Sequence, residues 1–155
     1  MSTTTPTTPA ARLAATTGYL PWYSAAVIIA SLVLQLVLAA TGSDIGPLAM
    51  ALTAAIAVGY LGFLLWMGRD LGRVRFGKVA THAVTFAAVT GGYLLHLFVL
   101  ATRSSPAIEG SAADGGFVMD PGWFGAAIAM PAFWSLGLAM HVLGATLDRG
   151  FEARR

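Results

Sequence analysis

The stretch Pro47–Gly68, PLAMALTAAIAVGYLGFLLWMG, runs for 22 residues without a charge. As an α-helix rising 1.5 Å per residue it would cover about 33 Å, enough to cross the roughly 30 Å hydrocarbon core of a bilayer. Three further runs share this property: Trp22–Thr41, Val79–Thr102 and Trp123–Leu147. Lipid offers no hydrogen-bond partner to an open backbone, and the runs are too long and too unpatterned for barrel strands. The sequence therefore predicts an all-α membrane protein, a four-transmembrane-helix antiparallel bundle with helices over 22–41, 47–68, 79–102 and 123–147.

Composition agrees. Of 155 residues, 57% are hydrophobic and 10% charged, against about 25% charged in soluble domains; the mean hydropathy is +0.74. The net charge of +2 is too small on a lipid-solvated chain to argue for nucleic-acid binding. The absence of cysteine excludes disulfides, thiolate metal sites and cysteine nucleophiles.

Basic residues collect on the cytoplasmic side of short loops. Arg12, Arg69, Arg73, Arg75, Lys78, Arg149, Arg154 and Arg155 fall on one side of an even-numbered path with Asp70, Asp148 and Glu152, a balance of +5. The other side holds Arg103 with Asp44, Glu109, Asp114 and Asp120, a balance of −3. The cell membrane, with both termini cytoplasmic, is the expected location. Trp22, Tyr23, Trp66 and Trp123 fall where an interfacial aromatic belt is expected. The first run is read as a span rather than a cleaved signal peptide, whose apolar core is shorter.

Around the 18–147 transmembrane domain lie a Thr/Pro/Ala-rich cytoplasmic tail, 1–17, and a short tail, 148–155. The first tail has no apolar period and is expected to lack regular structure unless a partner surface holds it. The connection Gly42–Gly46 is short enough to impose a tight hairpin. The inner loop Arg69–Lys78 is basic and suited to anionic lipid headgroups, or marks topology only. The outer loop, 103–122, rich in Gly and Ser with Pro106, reads as irregular.

No Asp, Glu, Lys or Arg lies within a run, which removes the usual marks of a proton relay or ion-coupled transporter. The intramembrane polar residues include Gln35, Thr53, Thr81, His82, Thr85, Thr90, His96, Ser135, His141 and Thr146, with a few further Ser and Thr near helix ends. The histidines are the sharpest signal, because an imidazole in hydrocarbon needs a partner for at least one nitrogen. His82 and His141 lie at similar depth on antiparallel helices, so they should approach each other. They then hydrogen-bond to one another or to nearby polar groups, or supply both axial ligands of a haem b. His96, fourteen residues beyond His82, stands apart as a structural polar residue. The His82–His96 spacing resembles that of bis-histidine membrane cytochromes b, but Ala127 occupies the position where the second helix would need its matching ligand. No metal site is expected: a copper site from Met119, Met140 and His141 lacks a second ligand at the right spacing. Small residues at four-residue spacing, Ala51, Ala55 and Gly59, then Ala83, Ala87 and Gly91, are read as helix-packing stripes. Pro131 should kink the last helix and free a carbonyl near Ala127.

The string Thr81-His82-Ala83-Val84-Thr85-Phe86 with Thr90, and Trp123-Phe124 followed by Phe133-Trp134-Ser135-Leu136-Gly137-Leu138-Ala139-Met140-His141, resemble the bacterial and archaeal two-transmembrane (2TM) domain. His82, Trp134, Gly137, Leu138 and His141 match that family's pattern over about residues 78–149. Phe86, Thr90 and Ser135 replace its Tyr, Asn and first Gly. The resemblance implies a structural His82–His141 pair, with Trp134 and Gly137 as supporting positions, and an attachment to signalling proteins in some members.

With no catalytic motif in the sequence, the chain is expected to be no enzyme but a non-catalytic accessory or scaffold subunit of a larger membrane complex. By analogy with small helical subunits elsewhere, a respiratory or electron-transfer complex is the best match. Its partners would be other integral membrane proteins and lipid, or a second copy of itself in a homo-oligomer, and no cofactor of its own is the first expectation. The alternatives are a haem b redox protein using His82 and His141, and a small membrane sensor.

Overall fold

A computed structural model describes residues 9–72, 76–110 and 116–147. It is 85% helical, with four helices long and apolar enough to span a membrane. They are α1 (Pro9–Ala40), α2 (Pro47–Leu71), α3 (Gly77–Thr102) and α4 (Pro121–Leu147). Residues Met1–Thr8, the loop charges Arg73, Arg75 and Asp114, and the tail 148–155 with its charges lie outside the described residues.

α1 starts well before the charge-free run. Where the tail was expected to continue to Thr17, the backbone is helical from Pro9. Proline is pre-set for a first helical turn, and Ala10, Ala11, Leu13, Ala14 and Ala15 are among the best helix formers. Propensity alone, without an amphipathic period, carries the extension.

α1 ends in a left-handed turn, Gly42 at φ 85° and Ser43 at φ 63°, with the Ser43 N–H donating to Leu38 O at 2.8 Å. This turn reverses the chain into α2, whose first residue is Pro47. Between α2 and α3, a Cβ on Gly77 would stand 2.6 Å from Leu71 O, so only glycine permits that approach.

The long loop is not wholly irregular. Ser105 Oγ accepts from the Ala107 N–H and starts a 3-10 turn, Pro106–Ile108. β1 (Glu109–Gly110) then pairs antiparallel with β2 (Val118–Met119), Glu109 opposite Met119. Asp120 caps α4 by accepting from the Gly122 and Trp123 N–H groups.

Pro131 does interrupt the regular α-helix. It is preceded by a π-helical turn, Gly125–Ala129, in which the Met130 N–H donates to Gly125 O. The wider turn accommodates a residue that has no N–H and whose ring would press on the carbonyl four residues back.

α3 packs against each of the other three helices. The middle of α1 lies beside the first half of α3 through Tyr23 and Thr85, and their later turns meet through Gln35 and His96. The apolar core, at the long-loop end, centres on Leu34, Leu38, Val89, Tyr93 and Trp123. Trp123 is 0% exposed, so it is a core residue rather than the belt residue expected. Trp22 and Trp66, 78% and 72% exposed, do stand outward near the opposite end.

Candidate functional site

Two polar clusters lie inside the helices. In the first, His82 Nε2 lies 3.2 Å from Trp134 O and Nδ1 3.0 Å from Tyr60 Oη. A carbonyl only accepts, so Nε2 carries the hydrogen and Nδ1 accepts from the Tyr60 hydroxyl. His141 reaches the same ring, with centroids 5.1 Å apart and planes at 68°. The two histidines are thus brought together, but in edge contact, since both nitrogens of His82 are already committed. Gly137 makes this possible: a Cβ there would stand 3.0 Å from His82 Cε1. Trp134 packs on both His82 and Phe86.

The second cluster, at the long-loop end, is built on His96, apart from the other two histidines. Its Nδ1 lies 3.0 Å from Gln35 Oε1 and its Nε2 3.0 Å from Ser43 Oγ. By the same logic Nδ1–H donates to the amide oxygen, and the Ser43 hydroxyl donates to Nε2. Ser43 O accepts from Trp123 Nε1 at 3.0 Å, and the Trp123 ring lies 5.5 Å from that of His96. A non-glycine residue at φ 63° costs on the order of 1 kcal/mol. The bonds to its N–H, carbonyl and hydroxyl hold Ser43 there.

Two tyrosine–threonine pairs complete the interior. Thr85 and Thr53 give their hydroxyl protons to Thr81 O and Ala49 O. Tyr23 and Tyr93 must therefore donate to them, each at 2.6 Å. Among the described residues, three buried side-chain polar atoms have no partner: Ser31 Oγ, Gln35 Nε2 and Thr90 Oγ1.

The tyrosines are what sequence reasoning missed. Tyr23, expected in the interfacial belt, is instead buried against Thr85, and Tyr60 and Tyr93 carry no polar role in the sequence reading, although a tyrosine deep in a span needs a hydroxyl partner as much as a histidine does. The packing stripes lie mostly on open faces of this chain. Ala51, Ala55, Gly59, Ala87 and Gly91 are exposed and Ala83 only half-buried, so the stripes do not hold these helices together. The close approaches fall instead at Gly137 and at Gly92, whose Cβ would stand 3.0 Å from Gln35 Nε2. Ser135 and Thr146, both exposed, bond only to carbonyls of their own helix.

Axial haem ligation needs a free nitrogen lone pair on each histidine, with the macrocycle between them. His82 has no nitrogen to spare, and His141 touches it edge-on, so the pair as placed does not fit a haem. Met119 lies in β2, and Met140 is 69% exposed; they do not converge on His141. Among the described residues no three His, Cys, Asp or Glu side chains form a group that could hold a metal.

Two grooves flank the clusters. One, about 640 Å³, lies between α2 and α4 and is lined by Met50, Thr53, Ala57, Tyr93, Met130 and Trp134 among others. The other, about 670 Å³, lies between α1 and α2, with Ala30, Ala55 and Gly59 along it and Trp22, Phe63 and Trp66 towards one end.

Four apolar spans enclosing paired polar side chains define a multi-pass helical membrane protein. No protein-family model, curated protein or solved structure matches the chain.

Proposed function

We propose that the chain is an antiparallel four-helix bundle with both termini cytoplasmic, acting as a non-catalytic accessory or scaffold subunit of a larger membrane complex. An assembly of respiratory or electron-transfer type is the best match. The observation that carries this reading is the outward placement of the small-residue stripes Ala51, Ala55, Gly59 and Ala87, Gly91. In lipid, such faces let a neighbouring helix approach closely and gain dispersion contacts. Packing within the chain leaves these faces open, so they suit another integral membrane protein or a second copy. The cross-helix pairs Tyr23–Thr85, Thr53–Tyr93 and His82–His141 support the alternating helix directions. Kinship of the second hairpin to the 2TM domain is part of the proposal, supported by the way His82, Trp134, Gly137 and His141 gather in one contact group.

Extraction from the native membrane in mild detergent tests the function. The chain is expected to migrate within a larger assembly, and Ala55→Leu or Ala87→Leu should reduce that association while leaving its own melting temperature unchanged. Recovery as a lone monomer would overturn the reading.

Orientation has its own test. Single cysteines replacing Thr41 and Phe117, both exposed, should react with an impermeant maleimide outside intact cells, while one replacing Lys78 should react only after lysis. The opposite pattern reverses the topology.

A further inference from the structure

The groove between α2 and α4, about 640 Å³, falls in the size range of small-molecule sites. Its walls are mainly apolar, from Met50, Ala54 and Ala57 on α2 to Met130 and Phe133 on α4. Hydrogen-bond bookkeeping at its inner edge sets it apart from an ordinary lipid crevice. Tyr93 Oη spends its only proton on Thr53, so it faces the groove with acceptor capacity alone. Ala126, on the same wall, is in a similar state. Met130 gives its N–H to Gly125 O, and Pro131 has none to give, which removes both helix donors that the Ala126 carbonyl would ordinarily take. Beside it Gly125 leaves open space, with nothing within 4 Å of where a Cβ would stand.

Tyr93 and Ala126 both line the groove, so two acceptors without donors lie along this edge, between walls that are otherwise apolar.

We propose that the groove binds a membrane-soluble small molecule whose apolar tail lies between α2 and α4 and whose head carries a hydroxyl. A hydroxyl can donate to Tyr93 Oη or the Ala126 carbonyl. An ether or a carbonyl head cannot donate. The aromatic side chains of Tyr93, Phe133 and Trp134 suit a flat phenolic head over an alkyl alcohol. The site stands whether or not the chain works within an assembly, because the purified protein suffices to test it.

Titration calorimetry on the protein in lipid nanodiscs, with decyl-hydroquinone, its dimethyl ether and dodecanol, is the test. The hydroquinone is expected to bind saturably and its ether about tenfold more weakly, the value of one lost hydrogen bond. Dodecanol separates the sources: weaker binding than the hydroquinone assigns a phenolic head, tighter binding an alkyl alcohol. Tyr93→Phe should weaken the hydroquinone by a similar factor. Ala57→Leu, which narrows the groove from the opposite wall, should abolish binding while helicity by circular dichroism is unchanged. Equal binding of the ether, no saturable binding, or binding indifferent to Ala57→Leu would each overturn the proposal.

Discussion

Replacing Trp123 with Ala is expected to destabilise the protein by about 3–5 kcal/mol, the range for emptying a large buried aromatic site. Trp123 is 0% exposed, lies 6.3 Å from the Tyr93 ring and 5.5 Å from that of His96, and donates to Ser43 O. Its loss opens a cavity and leaves the carbonyl of a residue in left-handed backbone without a partner. Trp123→Phe separates the two contributions, keeping much of the packing and removing only the donor, at about 1 kcal/mol. Unfolding in mixed micelles of increasing SDS fraction reads both. An Ala variant no less stable than the Phe variant would show that packing at Trp123 does not matter as described.

Gly137→Ala is expected to cost about 1–3 kcal/mol, as overpacking does. The new methyl would press on His82 Cε1 at 3.0 Å, and His82 has little freedom to yield because Tyr60 and the Trp134 carbonyl hold its two nitrogens. The decisive measurement is the double-mutant cycle with His82→Ala. In that background the Gly137→Ala penalty should fall close to zero. A penalty that persists unchanged would mean that Gly137 serves the helix backbone rather than the histidine.

The spans were legible because charge exclusion from hydrocarbon is a strong constraint: the structure begins α2 at Pro47 and ends α3 at Thr102, as the charge-free runs predict. The start of α1 was not, since alanine propensity leaves no period to read. The proximity of His82 and His141 was legible from depth on neighbouring helices. The partners of His82 were not, because depth does not fix rotation. Tyr60 faces α3 only through the angle at which α2 sits, and nothing in the spacing of α2 alone sets that angle. The outward facing of the stripes was not legible for a related reason: in an alanine-rich chain, four-residue spacing occurs on outward faces as readily as inward ones. Pro131 announced a departure from regular helix, but a proline alone does not say that the turn before it widens to π geometry.

The central position of α3 has a consequence for synthesis. Tyr23 and Gln35 of α1, Ser43 of the first turn, and Thr53 and Tyr60 of α2 all have their side-chain partners on α3, namely Thr85, His96, Tyr93 and His82. A chain inserted from its N-terminus places the first hairpin in lipid before any of these partners exists. Until the third segment leaves the translocon, that hairpin carries five polar side chains with no cross-helix partner. A nascent chain halted after Leu71 would thus look like a misassembled protein to membrane quality control, and prompt emergence of Gly77–Thr102 is what removes the signal.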